Sequence, residues 1–168
     1  MPRPSAGLLM HRTANGVLEV LLVHPGGPFW AGKDHGAWSI PKGEYAPDEE
    51  PLDAAIREFH EETGCRINGP FLPLSQVKQA SGKLVSAWAV EGNWDPALLE
   101  SNMFSMEWPK GSGKLQEFPE VDQAAWFDLA EAKRRINPGQ RALLEELSAK
   151  LASPPPLRAA ASRPDRSS

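Results

Sequence analysis

The stretch Arg57-Glu58-Phe59-His60-Glu61-Glu62-Thr63-Gly64 gathers three carboxylates where the apolar spacing predicts a helix. Projected at about 100° per residue, Glu58 and Glu62 fall one turn apart and Glu61 lies beside them. Like charges at that separation repel by about 0.2–0.5 kcal/mol per pair, so the crowding costs stability until a cation joins it. Carboxylate oxygens suit a hard divalent ion, and Mg²⁺ commonly takes one or two carboxylates together with substrate phosphates. On residue types alone, the other reading is a solvated acidic face. His60 projects to a different side and is read as a surface residue.

A chain of 168 residues with 40% hydrophobic residues can bury the core of one domain. Its net charge of -4 and scattered Lys and Arg leave no basic stripe, which argues against nucleic acid as the main partner. The single cysteine, Cys65, cannot form an internal disulfide. The apolar run in "MPRPSAGLLM" is short for a signal peptide or a membrane span, so a cytoplasmic protein, monomeric or homodimeric, is expected.

The elements that must hold the glutamates follow from periodicity and breakers. "SAGLLMH" and "LEVLLVH" predict two antiparallel strands joined at Asn15-Gly16. The Gly- and Pro-rich segment after them predicts a long loop enclosing a short strand at Trp38 to Ile40. The helix is expected from Pro51 to Thr63, with proline in its first turn, Gly64 as its stop, and a buried stripe of Leu52, Ala55, Ile56 and Phe59. Further strands are expected in "FLPLSQVKQ", "KLVSAWAVEG" and "AAWFDL". Asp128 and Glu131 predict a helix cap, and Asn137-Pro138 breaks that helix before an amphipathic stretch from Gln140 to Leu151. Residues 153–168, "SPPPLRAAASRPDRSS", lack periodicity and predict a disordered tail after a domain spanning residues 1–152.

The helix lies in a wider frame. From Gly43 to Cys65 the sequence "GEYAPDEEPLDAAIREFHEETGC" carries Gly43, Glu49, Arg57-Glu58, Glu61-Glu62 and Gly64 at fixed separations, and so resembles the complete Nudix box of the Nudix hydrolases. Phe59 and Cys65 stand where that family more often has Ile, Leu or Val; both are apolar and leave the pattern intact. The resemblance implies an α/β fold, a mixed sheet sandwiched between helices in a single domain. It also implies Mg²⁺-dependent hydrolysis of a nucleoside diphosphate linked to a further group, with Mn²⁺ as a substitute.

By the same resemblance Glu58 and Glu62 are the principal metal ligands, and Glu61 binds metal directly, binds it through water, or acts as base. Glu49 pairs with Arg57. Lys42, just before the box glycine, offers its backbone carbonyl to metal and its side chain to a phosphate, and Glu44 is a weaker metal candidate. Family members often supply another acid from a late loop, for which "QEFPEVDQAAW" offers Glu120 first, then Glu117 and Asp122.

The substrate is less sharply marked. "WSIPKG" resembles the approach to the box in the diadenosine polyphosphate hydrolase branch, yet that branch's tyrosine beyond the box has no counterpart, since Tyr45 is the only tyrosine. The chain is also similar to bacterial Nudix proteins described as predicted NTP pyrophosphohydrolases. A nucleobase needs a flat apolar partner, and Trp30, Phe104, Trp108 and Phe29 are the candidates, with Lys110 and Lys114 near glycines able to approach phosphate. A small-molecule nucleotide, foremost a dinucleoside polyphosphate, is expected; an NTP, ADP-ribose or a nucleotide sugar is the alternative. A Nudix-fold module that senses a nucleotide without turnover is a reading of a different class.

Overall fold

The computed structural model describes residues 3–152, so the expectation for residues 153–168 lies outside the described residues. Strands β1 (Ser5–Ala14) and β2 (Val17–Pro25) form the expected hairpin, with Asn15 and Gly16 at φ of 52° and 76° as a tight turn with both central residues left-handed requires. The strands β3 (Lys42–Glu44), β4 (Phe71–Pro73), β5 (Val77–Lys78), β6 (Leu84–Glu91) and β9 (Val121–Asp128) complete one mixed sheet. Its main path runs β4-β6-β1-β2-β9, with β6 parallel to β1 and the other pairs antiparallel. β3 pairs with the start of β1, and β5 with the start of β6.

Both faces of this sheet are covered, which is why β1 reads as a nearly unbroken apolar run. Ala6, Leu8 and Met10 point to the helix α1 (Pro51–Thr63) and meet Ala54, Ala55 and Phe59. Leu9 points the other way, to a core built from Ala132 of α2 (Leu129–Arg135) and Leu143, Leu144 and Leu147 of α3 (Arg141–Ala152). Helix, sheet and helix pair thus make the expected α/β/α sandwich. Among the described residues no helix is long and apolar enough to cross a membrane.

Three local expectations are corrected. Trp38 to Ile40 is no strand: Ser39 and Trp38 make isolated bridges to Val23 and Ile136, and the Ile40 amide donates to the Gln140 side chain instead. "FLPLSQVKQ" splits into β4 and β5, because the Ser75 amide turns away to Glu146 on α3 at 2.7 Å. The segment after Ser101, where the sequence predicts no strand before "AAWFDL", forms β7 (Met103–Glu107) and β8 (Leu115–Pro119), a separate two-stranded sheet.

α1 has the predicted bounds but sits rotated from the predicted stripe. Ala54, Ala55, Phe59 and Thr63 are buried, whereas Leu52 and Ile56 are only half-buried. Ala54, Glu58 and Glu62 are spaced at one turn each, so the rotation carries the glutamate edge of the helix in toward β3.

Candidate active site

Pro51 starts α1 and Gly64, at φ 84°, ends it with its amide bonded to the His60 carbonyl, which fixes the turn that presents the glutamates. Gly43 in β3 lies against that turn. A Cβ on Gly43 would fall 2.1 Å from the Glu58 carboxyl carbon, so only glycine lets the strand and the carboxylate meet. The next residue back, Lys42, donates its amide to Glu62 Oε1 at 3.3 Å.

Arg57 ties the loop to the helix. Its Nε and Nη2 donate to the two oxygens of Glu49 at 2.8 and 2.9 Å, a bidentate fork, while Nη1 reaches Glu58 at 2.7 Å and Glu61 at 3.2 Å. These bonds hold the guanidinium in its charged form. The pair with Glu61, expected of any helix at that spacing, coexists with the fork to Glu49. Lysine lacks the planar fork. Arg57→Lys is therefore expected to cost about 1 kcal/mol after solvent screening, seen as a fall of roughly 2–4 °C in Tm by thermal melt.

Glu120 arrives from the opposite side through the backbone. The Asn102 amide donates to the Glu61 carbonyl at the end of α1 (3.0 Å), and the Asn102 carbonyl accepts from the Glu120 amide (2.8 Å). The Gly26 amide then donates to the Glu120 carbonyl at 3.0 Å. One residue thus sets Glu120 beside Glu61 and braces the base of the β7–β8 hairpin.

These groups act on one another electrostatically. Glu62 is pushed up to about 8, by burial first, and Glu58 and Glu120 add repulsion that the Lys42 side chain and amide offset only in part. Glu58 is raised by burial and by Glu61 and Glu120, against the pull of Arg57. Glu120 is raised by desolvation and by Glu61. Lys42 is lowered, by burial first and then by Lys83. Lys42 and Glu62 both lean toward their neutral forms, so desolvation outweighs their attraction.

Among the described residues no three His, Cys, Asp or Glu side chains are already drawn around a common point. Arg57 explains part of this, since it takes an oxygen of Glu58 and holds Glu61. The donor set nevertheless fits a hard divalent cation: the carboxyls of Glu58, Glu62 and Glu120 are each raised in part by a neighbouring carboxylate, and a cation there would relieve that repulsion.

A cavity of about 220 Å³ opens from this cluster and is lined by Lys42, Glu62, Glu120, Trp30, Asn137 and Gln140, among others. Gln140 had no signal in the sequence; it is buried because its amide bonds the Ile40 amide, Ser39 Oγ and Gln79 Oε1 at 2.8–3.0 Å. Asn137 is marked in the sequence only as a helix break.

The other candidates separate clearly. Asp122 is paired with His24 Nδ1 at 2.9 Å, and the opposite ring nitrogen of His24 meets the Lys33 carbonyl, so this acid braces the β2–β3 loop. Glu117 lies exposed on β8 opposite Ser105, and Glu44 pairs with Lys83 at 2.8 Å. Trp108 lies at the far end of the hairpin, where its amide bonds the Lys114 carbonyl; Lys110 is exposed in the same turn. Phe104 and Phe29 approach Trp30 instead, in a second hollow beside Glu120. His60 is half-buried in a surface dip with Glu61, Gly64 and Glu100.

The fold and this box define a class. The model of the NUDIX domain matches residues 1–147, and the chain belongs to the Nudix hydrolase family. It is similar to the C. elegans Ap4A hydrolase in a binary complex, at 25% identity over 88% of this chain and 98% of that one, with a TM-score of 0.62. The NUDIX domain of Shewanella oneidensis NrtR, complexed with ADP ribose, shares the fold at 16% identity, 90% of both chains and a TM-score of 0.60. A stretch of 29 residues is 59% identical to an RNA pyrophosphohydrolase from Bartonella tribocorum, and spans 17% of each chain.

Proposed function

We propose that this chain is a divalent-metal-dependent pyrophosphohydrolase that cleaves the anhydride of a nucleoside diphosphate linked to a second group, with a dinucleoside polyphosphate as its substrate. The observation that carries the reading is the grouping of Glu58, Glu61, Glu62 and Glu120, of which Glu62 and Glu120 line one cavity together with Lys42. The likeness to the C. elegans Ap4A hydrolase over nearly the whole of that chain supports the choice of substrate. The short match to an RNA pyrophosphohydrolase supports the reaction class.

Bound Mg²⁺, or Mn²⁺ in its place, would neutralise the phosphates and orient the attacking water. Glu58 and Glu62 offer the oxygens nearest β3, and Gly43 lets the backbone stand close to them. Glu61 would hold the ion, directly or through water, or would take a proton from water, and Glu120 closes the cluster from the other side. Lys42 steadies a phosphate. Arg57 and Glu49 keep the loop against the helix, so that the carboxylates stay aimed at one point.

The reading is tested by phosphate release, after a coupled phosphatase, from a panel of dinucleoside polyphosphates, NTPs, ADP-ribose and nucleotide sugars. Mg²⁺-dependent turnover that rises toward alkaline pH, with the highest kcat/KM on a dinucleoside polyphosphate, is expected. Absence of turnover across the panel would overturn the reading and favour a nucleotide-sensing module.

A further inference from the structure

Near its end β2 carries a buried histidine on which no step of the reaction calls. His24 is 5% exposed, and both of its ring nitrogens are engaged. Nδ1 stands 2.9 Å from Asp122 Oδ1 on β9, and Nε2 meets the Lys33 carbonyl of the β2–β3 loop. The ring packs edge to face against the buried Trp38, with centroids 5.3 Å apart.

The pairing of β2 with β9 explains how Asp122 reaches the ring. His24 lies opposite Gln123 and Pro25 opposite Val121, so Asp122 is the extra residue of a bulge. A bulge re-aims side chains that strict alternation would send to opposite faces. Asp122 is thereby turned onto His24, two residues beyond Glu120, whose carbonyl accepts from the Gly26 amide at 3.0 Å.

The count of donors fixes the state of the ring. A carbonyl oxygen only accepts, and so does a carboxylate. Two acceptors facing two ring nitrogens are both satisfied only when each nitrogen carries hydrogen, which is the imidazolium form. A neutral ring serves one of them and turns a lone pair on the other. Burial of the charge is tolerable because it is paired and hydrogen-bonded, with Asp122 supplying the opposite sign. The nearby Asp34 is occupied otherwise: it accepts from Trp38 Nε1 at 3.1 Å and pairs with Arg135 at 3.6 Å.

The bond to Lys33 holds a particular piece of the loop. The Lys33 amide donates to the Trp30 carbonyl at 3.0 Å, so fixing Lys33 fixes the turn that sets Trp30 in the wall of the carboxylate cavity. Gly36 and Ala37 of the same loop line that cavity too. The carboxylates themselves come from α1 and from the residue before β9. We infer that His24 is a positioning residue for the reaction, a doubly protonated ring that latches the cavity-lining loop to the strand beginning beside Glu120. The kinetic part of the inference rests on the pyrophosphohydrolase reading; the state of the ring and its hold on the loop do not. Because the loop shapes the cavity while the carboxylates stand on other elements, the latch should govern KM rather than kcat.

The test begins with the ring ¹⁵N chemical shifts of His24 in the full wild-type chain at pH 7. Two protonated nitrogens are expected, and a ring with one bare nitrogen would overturn the inference. Asp122→Asn then keeps an acceptor for Nδ1 but removes the charge that balances the ring. It should convert His24 to the singly protonated form, speed amide exchange at residues 30–33 but not in α1, and raise KM for diadenosine tetraphosphate about fivefold to tenfold. Its kcat and Mg²⁺ dependence should stay within twofold of wild type. His24→Gln, whose amide can still donate to the Lys33 carbonyl, should lie closer to wild type in KM than His24→Leu, which has no donor. Unchanged exchange in Asp122→Asn, or a fall in kcat at constant KM, would overturn the assignment. The ring and exchange results together with no hydrolysis by the wild type would keep the latch and remove the hydrolase reading.

Discussion

Glu62→Gln is expected to lower kcat by about 100-fold or more at saturating substrate, and to raise the Mg²⁺ concentration needed for half-maximal rate. Glutamine keeps the shape of the side chain and can still accept from the Lys42 amide, so the folded geometry around β3 is retained. It removes the charge that burial keeps costly and that a cation would offset. Glu58→Gln should act in the same direction. Glu49→Gln, at a side chain whose hydrogen bonds run to Arg57, should cost far less. Initial rates across a Mg²⁺ titration measure all three. A Glu62→Gln rate within twofold of wild type would show that this carboxylate holds no ion.

Stability of the metal-free protein should fall as pH rises from about 4.5 to about 8. The sign follows from Glu62, whose folded value is pushed up to about 8 from an ordinary carboxylate value of 4.5. Below that window both folded and unfolded chains carry the proton, and the full stability is present. Within it the unfolded chain ionises while the folded one does not, so folding loses ground until the pH passes the folded value. Glu58 and Glu120 are raised as well and contribute with the same sign. Denaturant melts in a chelating buffer at several pH values should show this decline in wild type and a clearly shallower one in Glu62→Gln. A wild type equally stable across the window would mean that the carboxylates are better solvated than their positions indicate.

Much of the frame that holds the site is legible in the chain because its signals are local. Pro51 and Gly64 bound α1, Asn15-Gly16 sets the first hairpin, and the Asp128 side chain accepts from the Glu131 amide as a cap should. The glutamates and Arg57 are legible for the same reason, since one helix carries them. What escaped the sequence depends on contacts between distant segments. Asn102 matters because its backbone joins Glu61 to Glu120, and nothing in its side chain marks that. Gln140 is a polar residue whose burial makes sense only once Ser39, Ile40 and Gln79 have come to it. The β7–β8 hairpin escaped because Leu115 and Met103 are exposed, so its strands lack the one-sided apolar pattern that identifies a strand in sequence. The rotation of α1 follows from tertiary packing: the stripe of Leu52 and Ile56 yields to a face that carries Glu58 and Glu62 inward.

The central claim is that these carboxylates are gathered to hold a divalent cation, and thermal melts of wild type and Glu58→Gln with and without Mn²⁺ test it most directly. Metal that binds only the folded state stabilises it by about 2.7 kcal/mol at a hundredfold excess over Kd. For a chain of 168 residues this is a rise of roughly 5–10 °C in the wild-type Tm. Glu58→Gln should show a much smaller rise, while its metal-free Tm is no lower than that of wild type, since a half-buried repelling charge has gone. Equal rises in the two proteins, or none in either, would contradict the account.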